Sequence, residues 1–339
     1  MSERDPARYG TVRALRAKVI DSAQHGIRIA KFSGSAQERD LSSPTNCGGL
    51  GRLHHFSETP TEAWVSDPLP ILPAAKALRL DADAVRIAQV FHVAACNLAC
   101  WYFFVPDDML RAAPRFSEFT TPRHVLEQFA QLPDRPKVLD LSGGNPGLTP
   151  EWVLWTVREL RALGLEQEVY LWSDDNLTVN LYPSVLAPAE IEEIRTYSNY
   201  GSVGCFKGFD GASFAFNTGA APELFDVQFA VFESLMAYGW DLYGYVTLTS
   251  PPSDQVGASV ERFFERLRAI DENLPLRVVP LEIKSFSPTQ RRMNPLRESA
   301  LAVQYQALSV WLRKLDEQYP GPLRKLPICS VIWASRSAP

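Results

Sequence analysis

Little in this chain points toward a disulfide-stapled, membrane-spanning or nucleic-acid-binding protein. Cysteine is scarce and odd in number, with Cys47, Cys96, Cys100, Cys205 and Cys329 among 339 residues. A sparse, odd set in a long chain argues against a disulfide framework and for a reducing compartment, so a cytoplasmic location is expected. Long apolar runs are missing, and no stretch reaches the roughly 18 apolar residues of a membrane span. A cationic excess is missing too. The 34 Lys and Arg residues are outnumbered by 39 Asp and Glu, for a net charge of -5. That balance leaves no electrostatic footprint for nucleic acid. Residues 1–20 mix Arg, Asp and Glu with short apolar groups and are not expected to act as a signal peptide. What remains is an ordinary globular composition, 46% hydrophobic and 22% charged, enough for one large core or two smaller ones.

Three segments are expected. Residues 1–84 form an N-terminal extension, with a short helix around 12–20 and a proline-rich arm carrying Pro60, Pro68, Pro70 and Pro73. Residues preceding proline disfavour helix, so the arm reads as extended. Residues 85–285 alternate strand-like and helix-like pieces. The strand candidates are 85–93, 137–141, 169–172, 202–206, 242–248 and 276–283, all short and rich in Val, Leu and aromatics. Such runs fit strands covered on both faces. Between them, Thr149-Pro150 opens a helix that Gly164 closes. Two more helices are marked by apolar stripes, Leu224 to Met236 and Val260 to Ile270. Residues 286–339 form a C-terminal extension whose Leu301, Tyr305, Leu308, Leu312 and Leu315 keep helical spacing. The class is therefore α/β with a parallel sheet. A partial (β/α)6 barrel and a doubly wound open sheet both fit. In either, the chemistry gathers at the C-terminal strand ends.

Four strand ends carry polar or cysteine-bearing motifs. The first runs into Cys96-Asn97-Leu98-Ala99-Cys100-Trp101-Tyr102-Phe103, whose two thiols can converge on one metal or simply lie buried. The second ends Asp140-Leu141-Ser142-Gly143-Gly144-Asn145-Pro146, where paired glycines suit close approach of a ligand or an ordinary tight turn. The third ends Ser173-Asp174-Asp175-Asn176, which reads as ligand contacts or as an Asx-turn. The fourth ends Cys205-Phe206-Lys207-Gly208-Phe209-Asp210, where Lys207 faces a ligand carboxylate or pairs with Asp210. Cys205 and Cys329 sit in apolar runs and read as core residues.

The order of these motifs, over roughly residues 85–285, resembles the radical S-adenosylmethionine (SAM) superfamily, in its activating-enzyme-like group. That family's loop reads CxxxCxΦC, with Φ aromatic. Cys96, Cys100 and Tyr102 match it, and Phe103 stands where the third cysteine belongs. Its second-strand motif reads GGE, and Asn145 replaces the acid. The resemblance implies a radical-SAM-type partial barrel binding SAM and a [4Fe-4S] cluster. It implies Cys96 and Cys100 as cluster ligands. It also implies SAM contacts from Tyr102, Ser142, Gly143, Gly144, Asn145, Ser173, Asp174, Asn176 and Lys207. In the family the cluster cleaves SAM reductively, and the 5′-deoxyadenosyl radical abstracts hydrogen from a substrate. Here the substrate, a small molecule or peptide, is not legible, nor is an electron donor.

A phenyl ring cannot ligate iron, so three readings stay open. Another residue supplies the third ligand, with Cys47 in its glycine-rich loop ahead of His92, His54 and His55. Alternatively, the cluster is labile or absent, and a SAM-sized pocket remains. Or the chain is a pseudoenzyme serving as partner subunit to an intact homologue. A more distant reading is a barrel hydrolase using Asp174, Asp175 and Glu282 around a divalent metal.

Overall fold

A computed structural model describes residues 6–56, 64–285, 287–319 and 321–336. Helix α1 (Pro6–Val19) leads into β1 (Ile20–Asp21), β2 (Gly26–Ala30), β3 (Arg52–His55), α2 (Ile71–Leu78) and β4 (Ile87–Val90). Next come β5 (Ser117–Thr120), α3 (Pro122–Ala130), β6 (Val138–Leu141), α4 (Pro150–Ala162) and β7 (Tyr170–Asp175). Helices α5 (Tyr182–Val185) and α6 (Pro188–Arg195), β8 (Tyr200–Phe206), α7 (Gly211–Thr218), α8 (Leu224–Ala237) and β9 (Asp241–Thr247) follow. The chain closes with α9 (Val256–Ile270), β10 (Val278–Leu281), α10 (Ser287–Gln290), α11 (Pro295–Gln318) and α12 (Gly321–Arg324).

The main sheet has the order β10-β9-β8-β7-β6-β4-β3. Strands β4 to β10 in this list are all parallel, and β3 adds to the β4 edge antiparallel. The parallel strands therefore follow one another in chain order without reversing. A doubly wound sheet needs a reversal, with helices on both faces. One-way winding with right-handed crossovers puts the helices on a single face and leaves the other as a lumen. This decides between the two architectures: the fold is that of an open (β/α)6 barrel. A small second sheet, β1-β2-β5, packs at the side.

Residue parity sorts the two faces. Leu139, Leu141, Leu171, Phe206 and Val246 join the helix-covered core with Phe232, Phe263 and Trp311. Val90, Val138, Trp172, Val203, Tyr243 and Tyr245 face the lumen. Every residue of β6 and β8 is buried, as the continuous apolar runs require.

The proline-rich arm departs from its expected extended form. Residues 71–78 are helical, and Ile71 and Ala74 are fully buried against the lumen face. Pro73 is tolerated because it lies in the first turn, where no intrahelical N–H bond is lost. Pro60 lies outside the described residues. Strand β3 and the small sheet carry no strong period-two signal in the sequence. The expected first strand shortens to Ile87–Val90, and the last to Val278–Leu281. Among the described residues no helix is long and apolar enough to cross a membrane.

Candidate functional site

The Cys96–Phe103 loop leaves the C-terminal end of β4 and is pinned on the last turn of α7. Ala99 N donates to Thr218 O at 3.0 Å and Trp101 N to Asn217 O at 3.2 Å. The Trp101 indole N–H reaches Asn217 Oδ1 at 3.2 Å. Tyr102 is buried, and its hydroxyl lies 3.0 Å from Thr247 Oγ1 at the end of β9. The loop thus spans the barrel mouth, as a strand-end site requires.

Cys96 and Cys100 are neighbours there. Burial pushes the Cys96 thiol up to about 11, and Cys100 raises it further while Lys207 and Arg111 work against the rise. The Cys100 thiol is also raised, first by burial, with Lys207 opposing. Lys207 is half-buried, which works against its charge, but Cys205, Tyr102, Cys100 and Asp174 offset this and raise its pKa. Burial pushes Asp174 up to about 6, with Lys207 holding it down. Lys207 therefore groups with Tyr102, Asp174 and the two thiols, and it does not pair with Asp210. The Asp210 side chain instead caps α7, accepting from Ser213 N at 2.7 Å.

The glycine pair is required by the packing around it. Gly143 and Gly144 both have positive φ, 84° and 64°. A Cβ at Gly143 would stand 2.3 Å from the His92 ring, and one at Gly144 2.2 Å from Val93 O. Only glycine allows this approach. Asn145 is committed as well. Its N–H donates to Ala95 O at 2.7 Å, its Nδ2 donates to Asn97 Oδ1 at 3.2 Å, and its Oδ1 accepts from Asn176 N at 3.2 Å. Asn176 Nδ2 donates to Asn97 Oδ1 at 2.9 Å and lies 3.9 Å from Cys96 Sγ. Three asparagines thus tie the cysteine loop to the ends of β6 and β7.

Parity divides the expected SAM contacts. Asp174 faces the lumen. Ser173 turns to the opposite face, its hydroxyl 2.8 Å from the Tyr200 hydroxyl. Ser173 is thus placed among core groups and away from the lumen. Ser142 Oγ donates to Asp140 Oδ2 at 2.9 Å on the lumen side. The hydrolase triad does not gather. Asp175 accepts from Leu177 N at 2.6 Å beneath the β6 loop, and Glu282 pairs with Lys284 at 2.9 Å.

The third ligand position is closed by Phe103. Its ring packs 5.1 Å from that of Phe104, and its carbonyl accepts from Arg292 Nη1 at 2.6 Å. Cys47 sits in a turn whose Gly48 faces Gln128 of α3, and burial alone pushes its thiol up to about 12. Among the described residues, no three His, Cys, Asp or Glu side chains gather to hold a metal ion. Neither Cys47 nor His92, His54 or His55 therefore completes a triad with Cys96 and Cys100. The residues present do not fit a three-thiolate [4Fe-4S] cluster. For a SAM-class ligand, Tyr102, Asp174 and Lys207 remain grouped at the mouth.

Several further polar groups gather at this end. Arg52, Asp67 and Tyr245 all point into the lumen region, and Tyr245 donates to Asp67 Oδ2 at 3.0 Å. Asp140 had a legible signal, an acid inside the apolar run Val-Leu-Asp-Leu. Arg52 had none, because its strand is short and at an edge.

No family model matches the chain, and no curated protein matches it. Solved structures are similar to it at low identity. Streptococcus suis SuiB bound to S-adenosylmethionine is 12% identical with a TM-score of 0.43, over 66% of this chain and 46% of that one. Native anSMEcpe with bound AdoMet and Cp18Cys peptide is 12% identical with a TM-score of 0.43, over 68% and 58%. TYW1 with a lysine-pyruvate adduct bound is 13% identical with a TM-score of 0.42, over 93% and 90%. The chain spans about half the length of the first two. All three are radical SAM enzymes. In its Cys96–Tyr102 loop and its one-way parallel strand order, the chain is similar to the radical SAM superfamily.

Proposed function

We propose that this protein binds a SAM-class adenosyl ligand at the C-terminal mouth of a radical-SAM-type barrel, without a three-thiolate cluster of its own. The observation that carries the reading is Phe103 at the third ligand position, with no other metal-binding side chain among the described residues joining Cys96 and Cys100. Lys207 would hold the ligand carboxylate by charge, Asp174 its ribose or ammonium, and Tyr102 its adenine. The low dielectric of the mouth strengthens each of these contacts. The α7-pinned loop would exclude water from the ligand.

Calorimetry on iron-free protein tests this. SAM and S-adenosylhomocysteine should both bind, with affinities within about tenfold, since no iron chelate favours SAM. Absence of heat and of any thermal shift at millimolar ligand would remove the adenosyl reading and favour a scaffold or partner subunit of an intact homologue.

A second reading keeps the enzyme activity, with a [4Fe-4S] cluster held by Cys96 and Cys100 and a ligand from outside the chain. It is favoured by the two thiols remaining neighbours beside Lys207. Iron and sulfide content after anaerobic purification separates the two. About four irons per chain supports the cluster, and trace iron supports the cluster-free protein.

A further inference from the structure

A second group of buried polar side chains lies on the lumen face, beside Phe104 at the end of the cysteine loop. Arg52 of β3 pairs with Val90, and Val90 pairs with Asp140 of β6. Their backbones are two strand spacings apart, about 10 Å, with both side chains on the same face. His92 follows Val90 by two residues and takes that face as well. Arg52 and Asp140 are each 5% exposed and His92 0%.

Each of these groups keeps a polar atom without a partner, although Asp140 Oδ2 accepts from Ser142 Oγ. Arg52 Nε, both ring nitrogens of His92 and Asp140 Oδ1 have no hydrogen bond. Arg52 Nη1 meets His54 Nδ1 at 3.2 Å. Among the described residues no carboxylate comes within ion-pair distance of Arg52. Arg52 and Asp140 feel each other's charge without touching. Two aromatic rings lie beside Arg52 and His92. The Arg52 guanidinium carbon lies 5.7 Å from the centroids of both Phe32 and Phe104. The His92 ring lies 4.9 Å from Phe32 and 6.3 Å from Phe104. Buried polar groups are nearly always hydrogen-bonded, and a buried guanidinium without a counter-charge is costly. Three such side chains beside two aromatic rings call for a partner.

We propose that Arg52, His92 and Asp140 form a binding site for a small monocarboxylate whose apolar body lies against Phe32 and Phe104. A carboxylate matches the guanidinium fork in shape and charge. Burial keeps His92 neutral, so one ring nitrogen donates. Burial first, and then the nearby Asp174, raise the Asp140 pKa well above the ordinary range. A protonated Asp140 donates to the bound anion and does not repel it. A phosphate dianion would place more charge against Asp140 than one guanidinium offsets. This site adjoins the adenosyl site through Asp174 but shares none of the side chains assigned to that ligand, Tyr102, Asp174 and Lys207.

Thermal shift with benzoate, benzamide and inorganic phosphate tests the proposal on the full chain. At 10 mM, benzoate should raise the melting temperature by about 2–4 °C. Benzamide and phosphate should leave it unchanged. Arg52→Met should abolish the benzoate response. It should also be no less stable than wild type in carboxylate-free buffer, because an uncompensated charge has gone. Should Arg52→Met fail to fold, Arg52→Lys should fold and respond more weakly than wild type. The proposal is overturned by no benzoate response, by equal responses to benzoate and benzamide, by a phosphate response alone, or by an undiminished response in either variant. A benzoate-soaked crystal with only water between Arg52 and Asp140 would overturn it too. SAM calorimetry should be unchanged in Arg52→Lys, which keeps this test separate from that of the adenosyl site.

Discussion

Phe103 is the residue on which the chemistry of the mouth turns. Cys96 and Cys100 stand where the family's first two cysteines stand, and burial raises both thiols while the Lys207 charge opposes the rise. Phe103→Cys should supply the missing thiolate. After anaerobic reconstitution the variant should hold more iron and sulfide than wild type and show the brown absorbance of a [4Fe-4S] centre. Wild type already holding about four irons, with no gain in the variant, would sink the idea. A second prediction concerns Asp67. It accepts from Leu69 N at 3.0 Å and from the Tyr245 hydroxyl, yet burial still pushes it up to about 6. A carboxyl whose folded pKa exceeds its unfolded value costs nothing below the unfolded value. The cost builds as pH rises from about 4 and is complete above about 6. Asp67→Asn keeps an acceptor for Tyr245 and removes the charge. It should raise stability at pH 7 by on the order of 1–3 kcal/mol and flatten the pH dependence between about 4 and 6. Chemical denaturation across that range checks it, and a variant less stable at pH 7 would refute it.

At the scale of elements, the plug helix and the mouth brace are what the fold adds to a plain barrel. Helix α2 sets Ile71 and Ala74 against the lumen-facing residues of the sheet, with Ile328 from the C-terminal tail beside them. Trp64, just before it, donates from its indole to Pro280 O at 3.0 Å. Ile71→Ala should cost about 2–5 kcal/mol, the range for a buried large-to-small change. A loss under about 0.5 kcal/mol would mean that the arm is a surface wrap. At the mouth, Arg292 donates to Phe103 O and, at 3.2 Å, to Val105 O, and it pairs with Asp107 at 3.0 Å. Thr289 Oγ1 adds a bond to Tyr102 O at 3.2 Å. The segment after β10 thus holds the cysteine loop in place from across the barrel.

For the molecule as a whole, one core runs through all three expected segments. The cluster that holds Leu141, Phe206 and Val246 also holds Ile27 and Trp64 from the first segment and Trp311 and Trp333 from the last. A shared core melts as a unit. Calorimetry should show one unfolding transition, with calorimetric and van't Hoff enthalpies in agreement. Two resolved transitions would mean that the extensions fold apart from the barrel.

What the chain determined by itself was local. Short runs of Val, Leu and aromatic residues gave six strands in order, because burial on both faces demands continuous apolar residues. The cysteine, glycine and lysine motifs fell at strand ends and pointed to the barrel mouth. Tertiary structure decided the rest, because it depends on contacts between distant residues. Sheet order alone separated a one-way barrel from a doubly wound sheet. Strand parity sent Asp174 into the lumen and Ser173 out of it, a one-residue difference that shared composition hides. Proline content hid α2, because Pro73 falls in the one turn that tolerates it. Packing turned Gly143 and Gly144 toward His92 and the loop backbone. Arg52, on an edge strand with no sequence signal, met His92 and Asp140 only because β3 joins the sheet beside β4.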